Sequence, residues 1–163
     1  MTKIQLINKI NQAFVNVHLE DGIGMYEADC IDDYLQPTDI EYITWKAKDE
    51  RVDWQKLLPI FLSDEIHKRF NSSCWTFMDA KGKRFILPCF LLQELEKPDT
   101  DNPIYFALTY AHNFDDFRIL NPEQIGVIID FLNYKLTIHL KNNDTNAEEE
   151  CKKCLSIVKE KLL

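Results

Sequence analysis

Trp75-Thr76-Phe77-Met78-Asp79-Ala80-Lys81-Gly82-Lys83-Arg84-Phe85-Ile86-Leu87 is the stretch on which the fold class turns. Two short runs, Trp75–Met78 and Arg84–Leu87, flank Asp79-Ala80-Lys81-Gly82. Gly82 can supply the positive φ that a short hairpin loop with a bulge demands, so the stretch predicts a β-hairpin. Pro88 stops the second strand, and the apolar run Cys89–Leu95 behind it reads as a helix. A lone hairpin is marginal in water, so this one must pack on helices.

Those helices are announced by capping boxes, in which a Ser, Thr or Asn side chain and a Glu or Gln three residues on satisfy each other's backbone N–H. Thr2 with Gln5 opens a helix carrying Ile4, Ile7, Ile10 and Phe14 on one face. Thr38 with Glu41 opens another, with Ile40, Ile43 and Ala47 as its stripe. Asn121 with Gln124, and Pro122 at the first helical position, opens a long helix to about Leu140. Thr145 with Glu148 opens the last, striped by Ala147, Cys151, Cys154, Leu155, Val158 and Leu162. Between the first two, Ala28, Ile31 and Leu35 recur at helical spacing and predict a short amphipathic helix over Met25–Tyr34. Asp53 caps Trp54–Leu62, which Pro59 should kink or split. Ile104–Tyr110 follows a Pro- and Asp-rich loop, Lys97–Pro103. The fold expected is α+β: a mostly helical single domain over residues 1–163, with a small antiparallel sheet centred on the Trp75–Leu87 hairpin.

A chain of 163 residues with 45% hydrophobic and 12% aromatic side chains can build a core without metal or disulfide. No basic start followed by an apolar run suggests a secretory leader, and Pro122–Leu140 is too charged to span a membrane. Five cysteines, an odd number, fit reduced thiols and a cytoplasmic location. The net charge of −8 lies wholly in Glu20–Asp53, which holds eleven acids against Lys46, Lys48 and Arg51. The rest of the chain balances acid with base. Such a protein is a poor nucleic-acid binder, because phosphate affinity needs clustered Lys and Arg.

The run from Glu27 to Leu91 resembles an uncharacterised family of small bacterial proteins. The match is carried by Glu27-Ala28 and Ile31-Asp32-Asp33-Tyr34, by Asp53-Trp54, and most sharply by Phe77-Met78-Asp79-Ala80-Lys81-Gly82-Lys83-Arg84-Phe85-Ile86-Leu87-Pro88. Lys83 and Ile86 stand where aromatic residues are expected. The resemblance implies a shared fold and carries no activity with it.

Catalytic and metal motifs are sparse. Cys151-x-x-Cys154 has no second pair with zinc-site spacing, and both thiols fall on an apolar stripe, where they act as small hydrophobes. Cys74 or Cys89 with His67, His112 or His139 lacks any nucleophile elbow. Asp79 and Arg84 flank the turn and read as turn-bonding and packing residues. The acids of Glu20–Asp53 lack the alternating Asp-x-Asp-x-Asp-Gly loop that wraps calcium, so neither metal nor cofactor is expected. Asp29 and Asp33 lie one helical turn apart, opposite the apolar positions. These observations lead to an expectation of a non-enzymatic binding protein of the immunity or antitoxin kind. It would inhibit a basic toxin, with a nuclease as one candidate because its substrate is a polyanion. Its contact residues would be Glu27, Asp29, Asp32, Asp33, Tyr34, Asp39, Glu41 and Tyr42, with the tyrosines as anchors. A hydrolase-like enzyme using Glu27, Asp32, His67 or Asp79 is the alternative, and a regulatory or scaffold module is a third. Nothing in the sequence sets an oligomeric state.

Overall fold

A computed structural model describes residues 1–63, 72–98, 104–109 and 114–163. Its helices are α1 (Lys3–Ala13), α2 (Met25–Asp32), α3 (Ile40–Lys46), α4 (Leu58–Leu62, preceded by a 3-10 turn at Trp54–Leu57), α5 (Ser72–Phe77), α6 (Ala80–Glu96), α7 (Ile104–Thr109), α8 (Phe114–Phe117), α9 (Pro122–Asn142) and α10 (Thr145–Leu162). No strand occurs among the described residues, so the expected α+β class with an antiparallel sheet at Trp75–Leu87 is corrected to a helical architecture.

The reversal has a local cause. Asp79 caps a helix instead of closing a hairpin: its Oδ1 accepts from Gly82 N at 2.8 Å and from Ile23 N at 3.0 Å. An Asp followed three residues later by a free N–H serves a helix start as readily as a turn. Gly82 is needed for close approach, because a Cβ there would lie 2.1 Å from the Ile23 carbonyl oxygen. It has no positive φ. Pro88 sits inside α6. Interior proline costs ~3 kcal/mol. Every residue from Phe85 to Leu95 is buried, however, and each large apolar side chain buried there contributes roughly 1.5–3 kcal/mol. A helix buried on all sides shows no amphipathic period, which is why its first half reads as a strand.

The described residues form two compact units: Met1–Val15 with Ile104–Leu163, and Asn16–Pro103. In the second unit α6 is the central element. Phe90 receives Phe61 of α4 edge-on at 4.8 Å and Trp75 of α5 at 5.4 Å, with Trp54 and Leu57 buried beneath. Asp53 caps the 3-10 turn through Gln55 N, and the segment splits ahead of Pro59 as expected. The loop Leu19–Ile23 is held from two sides. Arg51 donates to the carbonyls of Glu20 and Gly22, while Lys81 pairs with Glu20 and Asp21, and Arg84 with Glu20.

In the first unit two of the three expected capping boxes form, at Thr2–Gln5 and Asn121–Gln124. Gln124 also donates from Nε2 to the Ala13 carbonyl at 3.1 Å, tying the start of α9 to the end of α1. The buried face of α1 is Leu6, Ile10, Ala13 and Phe14, so Ile4 of the expected stripe is exposed. Asn143, in the left-handed region at φ 56°, ends α9. Asn143 N bonds Leu140 O and Asp144 N bonds His139 O, the paired bonds of a Schellman close. Asp144 then caps α10 through Ala147 N, in place of the expected Thr145–Glu148 box, and Glu148 pairs with Lys152. Cys151, Cys154, Leu155 and Val158 are buried as their spacing predicts.

Candidate functional site

The acidic segment divides into carboxylates that build the fold and carboxylates that face outward. Glu20 pairs with Lys81 and Arg84, Asp21 with Lys81, and these bonds hold both below the usual carboxylate range. Glu50 accepts from Val52 N and Asp53 N, which lowers it as well.

Asp49 is the least expected of these. α2 starts at Gly24, which brings no capping side chain, and the orphan N–H groups of Tyr26 and Glu27 bond to the Asp49 carboxylate at 2.8 and 3.1 Å. A Cβ on Gly24 would fall 2.2 Å from Asp49 Cγ, so only glycine admits the cap. Burial, with help from nearby Glu27, pushes the Asp49 carboxyl up to about 6, against the pull of the two N–H groups and Arg51.

Glu27 and Tyr42, both expected at a partner surface, are turned inward and are each only 6% exposed. Tyr42 Oη donates to Glu27 Oε1 at 2.6 Å, and Lys46 Nζ reaches the same oxygen at 2.6 Å. Burial and the bond to Glu27 raise the Tyr42 phenol above its ordinary range. Tyr26 stacks on Trp45 at 5.7 Å, and Lys48 lies over the Trp45 ring at 3.5 Å. All three bases of the acidic segment are therefore engaged within the fold.

The other expected contact residues are placed differently. Asp33 and Glu41 are exposed, and Asp29 and Asp32 are half-buried. Half-buried Asp39 accepts from Gln36 N at 2.7 Å, closing the turn between α2 and α3; the expected Thr38 cap is absent. Tyr34 is 88% exposed and left-handed, at φ 60°. Tyr34 N bonds Ile31 O and Leu35 N bonds Cys30 O, so Tyr34 occupies the position in a Schellman close where glycine is usual.

α3 is turned over relative to its apolar periodicity. Its expected inner stripe, Ile40, Ile43 and Ala47, is exposed, whereas Tyr42 is inside. Ile outranks Tyr as a core residue on hydrophobicity alone. The signal that decides the face is the Glu27 carboxylate, fifteen residues away, which attracts both Tyr42 and Lys46.

Of the residues named for the enzyme alternative, Glu27 and Asp79 are engaged within the fold: Glu27 serves Tyr42 and Lys46, and Asp79 bonds two backbone N–H groups. His67 and His112 lie outside the described residues, as do residues 99–103 and Tyr110. Cys89 is raised by burial and donates to Trp54 O. Cys154 is pushed up to about 12 by burial, and nucleophilic thiols run the other way. No three His, Cys, Asp or Glu side chains among the described residues come together as a metal ion requires. No described helix is long and apolar enough to cross a membrane.

The model of a family of unknown function, DUF6714, matches residues 2–156, and the chain belongs to that family. No curated protein and no solved structure matches the chain.

Proposed function

We propose that this member of the family is a non-enzymatic, cytoplasmic binding protein of the immunity or antitoxin kind, one that covers a basic bacterial toxin. The observation that carries the reading is the division of the acidic segment. Lys46, Lys48 and Arg51 are engaged in internal contacts, while Asp33 and Glu41 face solvent with Asp29 and Asp32 beside them. A face richer in acids than in bases raises the rate at which a cationic partner arrives and rejects acidic competitors. A nuclease is a fitting target, because its substrate is polyanionic and carboxylates can stand in for phosphates.

Affinity capture from the source cell, followed by stopped-flow mixing with the captured protein, tests this. With Asp29, Asp32 and Asp33 reversed to Lys, association should slow by roughly tenfold or more at low salt. Wild-type association should fall steeply with ionic strength. An acidic captured partner, or a rate indifferent to both salt and charge reversal, would refute the reading.

A further inference from the structure

Nine large apolar side chains are exposed among the described residues, and three of them, Tyr34, Ile40 and Ile43, lie within ten positions of one another. Singly exposed apolar residues need no explanation, but a gathered set does. Tyr34 is 88% exposed and Ile40 79%, while Ile43 is half exposed. The turn between them is closed by Gln36 N to Asp39 Oδ2 and by Asp39 N to Gln36 O, which brings the end of α2 to the start of α3. Ile40, Ile43 and Ala47 follow one another at helical spacing, so they form a stripe along one side of α3.

Helix formation does not account for the stripe. A two-turn helix is unstable alone, and β-branched Ile is a poorer helix former than Ala, Glu or Lys. α3 is secured from its other side, through Tyr42, Lys46 and the Trp45–Tyr26 stack. The two isoleucines are not among those contacts, and Ile40 is 79% exposed. Tyr34 is costlier still: a bulky side chain occupies a left-handed position where Gly would be free of strain. Strain of this sort clusters at sites of function.

We infer that Tyr34, Ile40 and Ile43 form the apolar centre of a docking face whose occupant is a basic protein surface presenting apolar side chains among Lys and Arg. The inference rests on the function proposed above and adds where the affinity resides. Charge complementarity selects the occupant. Exposed Asp33 and Glu41 adjoin Tyr34 and Ile40 in the chain, half-buried Asp29 and Asp32 are close in sequence, and the segment Glu20–Asp53 holds eleven acids against three bases. A second copy docked symmetrically would set these carboxylates against themselves. Interfaces of this type place apolar anchors centrally and charges at the rim; the rim governs arrival and the centre governs departure.

The probe is a fluorescent amphipathic helical peptide of Leu and Lys, with a scrambled peptide of the same composition and a Leu/Glu counterpart as controls. The Leu/Lys helix should bind the wild-type chain and shift the methyl NMR signals of Ile40 and Ile43. Ile40→Ser with Ile43→Ser should weaken binding about tenfold or more without altering its salt dependence. Asp33→Asn with Glu41→Gln should flatten the salt dependence instead. If the Ser variant binds as well as wild type, or the scrambled peptide binds equally, the stripe is not the anchor, though the acidic-surface reading survives. Equal binding of the Leu/Glu peptide overturns the basic occupant and the acidic-surface reading together. Dimerisation of the free chain that Ile40→Ser and Ile43→Ser abolish would give the stripe to a second copy and overturn the inference.

Discussion

Two helical hairpins in this protein are built on one plan and put to opposite ends. In α9–α10 a left-handed Asn143 closes the first helix, Asp144 caps the second, and the apolar stripe of α10 is buried. In α2–α3 a left-handed Tyr34 closes the first helix, and Asp39 occupies the cap position of the second. There the apolar stripe of the second helix faces out, while a carboxylate and a phenol meet inside and a half-exposed ammonium closes over them. Apolar periodicity therefore marks a surface that wants covering, and does not say whether the chain itself or a partner covers it.

Truncating one large side chain in each hairpin is the strongest way to break that contrast. Phe131→Ala, at a fully buried site in α9, should lower the unfolding free energy by about 3–5 kcal/mol. Ile40→Ala in α3 should change it by less than about 0.5 kcal/mol. Denaturant titration reads both, and comparable losses would mean that Ile40 is core.

A pH titration sharpens the contrast next. Asp49, with its carboxyl at about 6 in the folded protein against 3.8 ordinarily, binds more protons folded than unfolded between those values. Its contribution to stability is present below pH ~4 and lost as pH rises through ~6, by up to about 3 kcal/mol. Glu20, Asp21 and Glu50, held low, act in the opposite direction as pH falls. The comparison to make is thus wild type against Asp49→Asn, which keeps a cap acceptor without a titration. Between pH 4 and pH 7 wild type should lose stability relative to the variant; parallel curves would place Asp49 at an ordinary carboxylate value.

The smallest effect concerns Tyr34, the residue that closes α2. Tyr34→Gly should raise stability by about 1 kcal/mol, because it relieves a left-handed tyrosine. It should also weaken binding at the docking face. A variant less stable than wild type would show that the Tyr34 ring packs after all.

Much of the helical framework was legible in the residues. Thr2–Gln5, Asn121–Gln124 and the Cys151–Val158 stripe could be read because each partner lies within a few positions of the other. What escaped reading depended on distant partners. Ile23, far from α6 in sequence, explains Gly82, and Glu27 explains why Tyr42 points inward. Asp79 bonds backbone N–H groups as its position predicts, but at a helix start and not a hairpin turn, since both make the same local demand. Of the expected contact residues, Asp33, Tyr34 and Glu41 are exposed, whereas Glu27 and Tyr42 bond each other inside. The isoleucines of α3 do form the stripe that their spacing predicts, but on its outer side.

The cap that Asp49 lends to α2 bears on how this region assembles. A helix that begins at Gly24 cannot complete its first turn until the chain has come back from α3 with the missing acceptor. α2 should therefore have little independent existence in a peptide that ends before Asp49. Amide protons of α2 and α3 should exchange with solvent in one concerted opening, at a common free energy below that of α9. The face that α3 displays would then form and melt as a whole.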